Sequence, residues 1–118
     1  MTLITLKQRD QLIANGKAQE PVRGTPKEID FEPVVKLFTP DAGATWLLTE
    51  LDPEDPDIAF GLCDLGMGSP ELGSVRISEL EQVRGRFGLP VERDRHFTPR
   101  TTLMGYAREA WAAGAIRA

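Results

Sequence analysis

Between residues 34 and 78 the apolar positions come in short bursts: VVKLF (34–38), ATWLLTEL (44–51), DIAFGLCDL (57–65) and LGSVRIS (72–78). Each is rich in β-branched, aromatic or aliphatic residues and is closed by turn formers, a pattern that predicts four short strands. TPDAG (39–43) and DPEDP (52–56) are short enough for hairpins, whereas a parallel pair needs a crossover of about a dozen residues or more. An antiparallel meander is therefore expected. In 57–65 both alternating faces are largely apolar, Ile58, Phe60, Leu62 and Asp64 on one, Ala59, Gly61, Cys63 and Leu65 on the other. That predicts an interior strand covered on both sides by helices.

Helical signals flank the strands. Thr5 and Gln8 have capping-box spacing, Leu6, Leu12 and Ile13 form a weak stripe, and Asn15-Gly16 suits a helix end, so a helix is expected over about 6–14. Residues 17–33 are polar, carry Pro21, Gly24, Pro26 and Pro33, and read as a surface loop. Ser78 and Glu81 repeat the capping-box spacing ahead of a short helix that Gly85 stops. Gly88-Leu89-Pro90 then turns the chain into VERDRHF (91–97), a candidate last strand. TTLMGYAREAWAAGAIRA (101–118) reads as a C-terminal helix capped by Thr101 or Thr102, with Leu103, Tyr106, Ala107, Ala110, Trp111 and Gly114 in one stripe. The expected fold is one α+β domain over 1–118: an antiparallel sheet of four or five strands packed by N- and C-terminal helices.

Composition narrows the classes of function. The 118 residues, 41% hydrophobic and 27% charged, are those of a globular domain, and no apolar run approaches the roughly 20 residues that a membrane crossing needs. MTLITLKQRD lacks the layout of a secretory signal, so a cytoplasmic location without membrane contact is expected. Cys63 is the only cysteine; it excludes an internal disulfide and a multi-thiolate zinc site, and its FGLCDL setting suggests a buried small hydrophobe. Charge is unevenly spread. Residues 1–83 hold 7 Lys/Arg against 15 Asp/Glu, a net of −8, while residues 84–118 hold 7 against 3, a net of +4. Such a split either draws oppositely charged parts of one fold together or leaves a basic patch for a phosphate-bearing partner.

The last third also holds the densest chemistry. If VERDRHF is extended, Glu92, Asp94 and His96 share one face and Val91, Arg93, Arg95 and Phe97 the other. Successive same-face residues are then about 6.8 Å apart, so Glu92 and His96 stand about 13 Å from each other. Donors must come to about 2.0–2.2 Å from an ion, so at most two of the three could share a metal, with Asp64, Glu71 or Glu50 completing it. The alternatives are a solvated edge strand and an anion site built from Arg84, Arg86, Arg93, Arg95 and Arg100. GLCDLGMGSPELG (61–73), bracketed by Asp64 and Glu71, lacks the phosphate-loop and dinucleotide patterns and reads as a glycine-rich hairpin or, second, a ligand rim. Asp64 would there either cap loop amides or serve as a proton-transfer carboxylate. One histidine and no nucleophile elbow leave little for nucleophilic catalysis.

LITLKQRDQLIANG, then VVKLFTPDAGATWLLTELDPEDPDIAFGLCDLGMGSPELG and SELEQVRGRFGLPVERDRHFTP, resemble in order and spacing a family of small uncharacterised bacterial proteins. Its members occur on plasmids, phages and integrating elements, and some are labelled single-stranded DNA endonuclease. The resemblance covers about residues 3–100 and implies a mobile-element setting with work near DNA; it carries over no catalytic residue. The expectation is a non-enzymatic accessory protein that binds a protein or a single-stranded nucleic acid through VRGRF and ERDRHFTPR, without a cofactor. The alternative is a metal-dependent single-stranded DNA endonuclease using Glu92, Asp94 and His96 with Asp64 or Glu71, the one case in which a divalent metal enters.

Overall fold

The computed structural model describes residues 3–118. Thr5 closes a reciprocal capping box: its hydroxyl accepts from the Gln8 amide at 3.1 Å and its own amide donates to Gln8 Oε1 at 3.0 Å. Helix α1 (Leu6–Gln19) starts there, as the spacing predicts. It does not stop at Asn15-Gly16. Asn15 Nδ2 donates to the Thr49 carbonyl at 2.9 Å, and a Cβ on Gly16 would collide with the backbone oxygen of Leu51. These residues let the helix lie directly on a strand, a use of small and amide side chains that imitates a terminus in sequence. Leu6 is 80% exposed and lies off the buried stripe, which Leu12 fills. The expected loop at 17–33 accordingly begins with the last helical turn and a 3-10 turn (Glu20–Val22). Gln19 pins the rest: its side chain exchanges two 2.8 Å hydrogen bonds with the backbone of Ile29.

Strands β1 (Val35–Phe38), β2 (Thr45–Leu51), β3 (Ile58–Asp64) and β4 (Glu71–Arg76) form the antiparallel meander, and β5 (Glu92–Arg93) adds to the far side of β1. The order is β4-β3-β2-β1-β5. One face carries Val35, Leu37, Trp46, Leu48, Leu51 and Ala59 under α1 and the short α2 (Ile77–Leu80). The other carries Leu47 and Leu62 under α3 (Leu103–Ala113), which contributes Leu103, Tyr106, Ala107 and Ala110. The α+β fold and the doubly covered β3 are as the sequence predicts. Among the described residues no helix is long and apolar enough to cross a membrane.

Three local expectations are corrected. Ser78 is not an N-cap: α2 begins at Ile77, and Asp57 caps it from another part of the chain. The Asp57 carboxylate accepts from the Ser78 amide at 2.9 Å and hydroxyl at 2.6 Å, and its carbonyl accepts from the Ile77 amide at 2.8 Å. VERDRHF is strand only at Glu92–Arg93. Asp94 Oδ1 accepts from the His96 amide at 2.9 Å, an Asx turn that bends the chain where alternation would have continued. The C-terminal helix is capped by Thr102 and ends at Gly114, whose φ of 77° a side chain would strain. Residues 114–118 run on without helix.

Candidate functional site

Beyond α2 the chain makes a tight hairpin over residues 84–90. Arg84 and Pro90 form an isolated bridge at its base, the Gly85 amide donates to the Leu89 carbonyl at 2.8 Å, and Gly88 turns the tip with a φ of 86°. The chain then enters β5. This path brings Arg84 from the hairpin, Arg93 from β5 and Arg95 from the Asx turn to one cleft of about 440 Å³, floored by Leu3 and Val91 and edged by Glu81 and Glu92. The volume lies within the range of small-ligand sites.

Two of these guanidinium groups are tied to backbone carbonyls and not to acids among the described residues. Arg93 Nη1 donates to the Leu3 carbonyl at 2.9 Å, and Arg84 Nη1 donates to the Glu81 and Val83 carbonyls at 3.0 and 2.9 Å. Each retains further N–H donors, since a guanidinium has five. Among the described residues Arg84, Arg86, Arg93 and Arg95 make no salt bridge. Arg86 and Phe87 sit at the hairpin tip, the guanidinium 5.6 Å from the ring centroid and Phe87 78% exposed. The tip is three residues from either end of the hairpin, so no more than about 10 Å of chain separates it from the cleft. Arg100 lies apart. It forms a bidentate pair with Glu109 at 2.6 and 2.7 Å and stacks 4.9 Å from the Tyr106 ring, so its pKa is raised and Glu109's lowered, chiefly by their mutual hydrogen bond.

The acids singled out in the sequence do not meet. Glu92 is exposed on the cleft edge, Asp94 pairs with Lys36 at 3.5 Å, and His96 points from an exposed turn. Asp64 is buried three strands away from β5, roughly 14 Å at ordinary strand spacing, and Glu71 is exposed on the opposite edge strand. Asp64 caps amides: Oδ1 accepts from Gly66 at 2.8 Å and Oδ2 from Ile116 at 2.9 Å. Among the described residues no group of three or more His, Cys, Asp or Glu is gathered closely enough to hold a metal ion. Cys63 is partly buried, and burial, with the nearby Glu71 charge, pushes its thiol up to about 11.

Two polar clusters have no sequence signature. Asp41, in the β1–β2 turn, reaches the hairpin: its Oδ2 accepts from the Phe87 amide at 2.6 Å and the Leu89 amide at 3.2 Å. Glu50 is 4% exposed, because a bulge between Leu48 and Glu50 shifts the register and sets it opposite Phe60. It accepts from Arg23 at 2.8 Å and Gln19 at 3.4 Å. Partners 27 to 48 residues away leave no local pattern to read.

No curated protein and no solved structure matches this chain. A family model described as protein of unknown function (DUF2958) matches residues 3–117, nearly the whole chain, which therefore belongs to that family.

Proposed function

We propose that the chain is a non-enzymatic accessory protein of a mobile genetic element that binds single-stranded nucleic acid through the arginine cleft and the hairpin beside it. The observation that carries this reading is the convergence of Arg84, Arg93 and Arg95, none ion-paired among the described residues, on one cleft of about 440 Å³. Guanidinium groups with spare donors match phosphate oxygens in bidentate geometry. The exposed Phe87, with Arg86 against it, adds the flat apolar surface on which an unpaired base stacks. Glu81 and Glu92 on the cleft edge are hydrogen-bond acceptors for base amino groups and keep the site from being a uniform phosphate sink. The mobile-element setting is supported by the sequence resemblance over residues 3–100.

The test is binding of a short single-stranded oligodeoxynucleotide by anisotropy across a salt series, with and without Mg²⁺ or Mn²⁺, scored for retention and for cleavage. Three phosphate contacts give a log–log salt slope of about −2, at roughly −0.7 per phosphate for single strands. The Arg93→Ala/Arg95→Ala double variant flattens that slope by more than half, and no cutting accompanies binding. Binding that ignores salt defeats the reading. Metal-dependent cutting abolished by His96→Ala replaces it with the nuclease alternative through Glu92, Asp94 and His96.

A further inference from the structure

Asp41 holds the hairpin from outside. The hairpin's own closure is thin: one bridge between Arg84 and Pro90, the Gly85 amide on the Leu89 carbonyl, and the Gly88 amide on the Gly85 carbonyl at 3.0 Å. Its tip is otherwise surrounded by solvent, with Phe87 and Leu89 exposed. Among the described residues the one side chain that hydrogen-bonds to the tip's backbone is Asp41, whose Oδ2 accepts from both Phe87 and Leu89. Those two amides flank Gly88, the residue whose left-handed backbone reverses the chain. A carboxylate between them therefore fixes the turn itself, and with it the direction in which the Phe87 ring leaves the backbone.

The fit is built from both sides. A Cβ on Gly85 would collide with Asp41 Oδ1, so only glycine there admits the carboxylate. That same Oδ1 is buried with no hydrogen-bond partner among the described residues. A buried carboxylate oxygen without a donor is a cost to the fold, so the arrangement is not one that stability alone selects. We infer that Asp41 is a positioning residue for ligand binding: it preorganises the 84–90 hairpin so that Phe87 and Arg86 are held rigidly at the hairpin tip, no more than about 10 Å of chain from the Arg84 and Pro90 lining of the arginine cleft, ready for a ring of the partner. The inference rests on the proposed function for what the tip receives, and on geometry alone for how the tip is held.

The experiment separates the two. Hydrogen exchange of the Phe87 and Leu89 amides reads the anchor without any ligand; binding of oligodeoxythymidylate and of inorganic polyphosphate reads the tip and the cleft, since polyphosphate has charge but no bases. In Asp41→Ala the two amides lose protection, oligodeoxythymidylate affinity falls on the order of tenfold, the loss of one base–aromatic stack, and polyphosphate affinity stays within about twofold of the wild type. Asp41→Asn, which keeps a carbonyl at the Oδ2 position, restores both protection and affinity. In a Phe87→Ala background Asp41→Ala adds nothing more, because the two act through one contact. Unchanged amide protection in Asp41→Ala, equal losses for both polyanions, or an undiminished effect in the Phe87→Ala background each overturns the positioning role. Failure of the wild type to bind polyphosphate or oligonucleotide removes the proposed function and, with it, the ligand half of this inference, while the exchange data still report whether Asp41 fixes the turn.

Discussion

Two glycine-rich turns near opposite edges of the sheet are held by an aspartate from the neighbouring backbone and left in different states. In the β3–β4 connection Asp64 is buried and uses both oxygens, on the Gly66 amide and on Ile116 of the C-terminal tail. Trp111 adds a third tie, its indole N–H donating to the Pro70 carbonyl at 2.9 Å. In the 84–90 hairpin Asp41 uses one oxygen on two amides and leaves the other buried without a donor among the described residues. The first turn has the carboxylate Glu71 beside it; the second has Arg84, Arg86, Arg93 and Arg95 in or next to it. A carboxylate satisfied on both oxygens contributes to the fold, whereas one with an orphan oxygen returns part of its gain. The same residue type thus secures structure at one edge and sets the aim of exposed side chains at the other.

That contrast is broken most directly at Asp64. Asp64→Ala removes two charge-assisted hydrogen bonds and strands two part-buried amides, a loss of about 3 kcal/mol. Urea unfolding followed by tryptophan fluorescence measures it; a loss below about 1 kcal/mol erases the distinction between the two turns. At the second turn Gly85→Ala drives a methyl group into Asp41 and costs about 2 kcal/mol if the hairpin shifts to make room. Asp41→Ala costs less, about 1 kcal/mol, because the orphan oxygen disappears with the hydrogen bonds.

The arginines sharpen the comparison on the binding side. Arg93→Ala and Arg95→Ala are each expected to weaken oligonucleotide binding several-fold and lower the salt slope by about 0.7. Arg100→Ala is expected to change neither, since Glu109 and the Arg117 carbonyl already occupy its guanidinium. Its effect falls on stability alone and is small, as befits an exposed pair. Equal losses of affinity for Arg93→Ala and Arg100→Ala would remove the cleft as the site of contact.

How much of this could be read in the sequence follows from the range of each interaction. The four-strand meander was legible because alternation and turn formers are local, and so was the Thr5 cap, while Thr102 was one of two threonines that could cap the last helix. Helix α1 was read short because Asn15-Gly16 has the chemistry of a helix end, and only the Thr49 and Leu51 backbone across the sheet gives it another meaning. VERDRHF alternates like a strand, but the Asp94 side chain competes for its own backbone and bends the chain after Arg93. Of the candidate site, the arginines were legible as a basic segment and their separation into free and paired sets was not. Asp41 was illegible as a site residue, and Glu50 was legible only as a possible third metal ligand, not as the partner of Arg23 and Gln19: the partners of both lie on segments that only the tertiary fold brings near.

Asp57 extends the series to a third aspartate and the smallest effect. Its side chain is 34% exposed, and it holds α2 through the Ser78 hydroxyl and amide while Arg76 sits 3.5 Å away. The Ser78 hydroxyl and amide, and then Arg76, keep its carboxyl below the ordinary value of 3.8. A carboxyl depressed in the folded state stabilises the protein above its unfolded value and loses that contribution as pH falls through the folded one. The α2 cap is therefore intact at pH 5 and releases only as pH falls below the ordinary value, through the depressed folded one. Backbone chemical shifts of Ile77 and Ser78 from pH 6 to 2 follow the release, with Asp57→Asn as the reference. The Asn variant keeps a carbonyl acceptor but has no proton to gain, so its α2 shifts should be flat across the range where the wild type moves. Shifts that move in both proteins at the same pH would assign the transition to other carboxylates and leave the exposed aspartate without a measurable share in holding its helix.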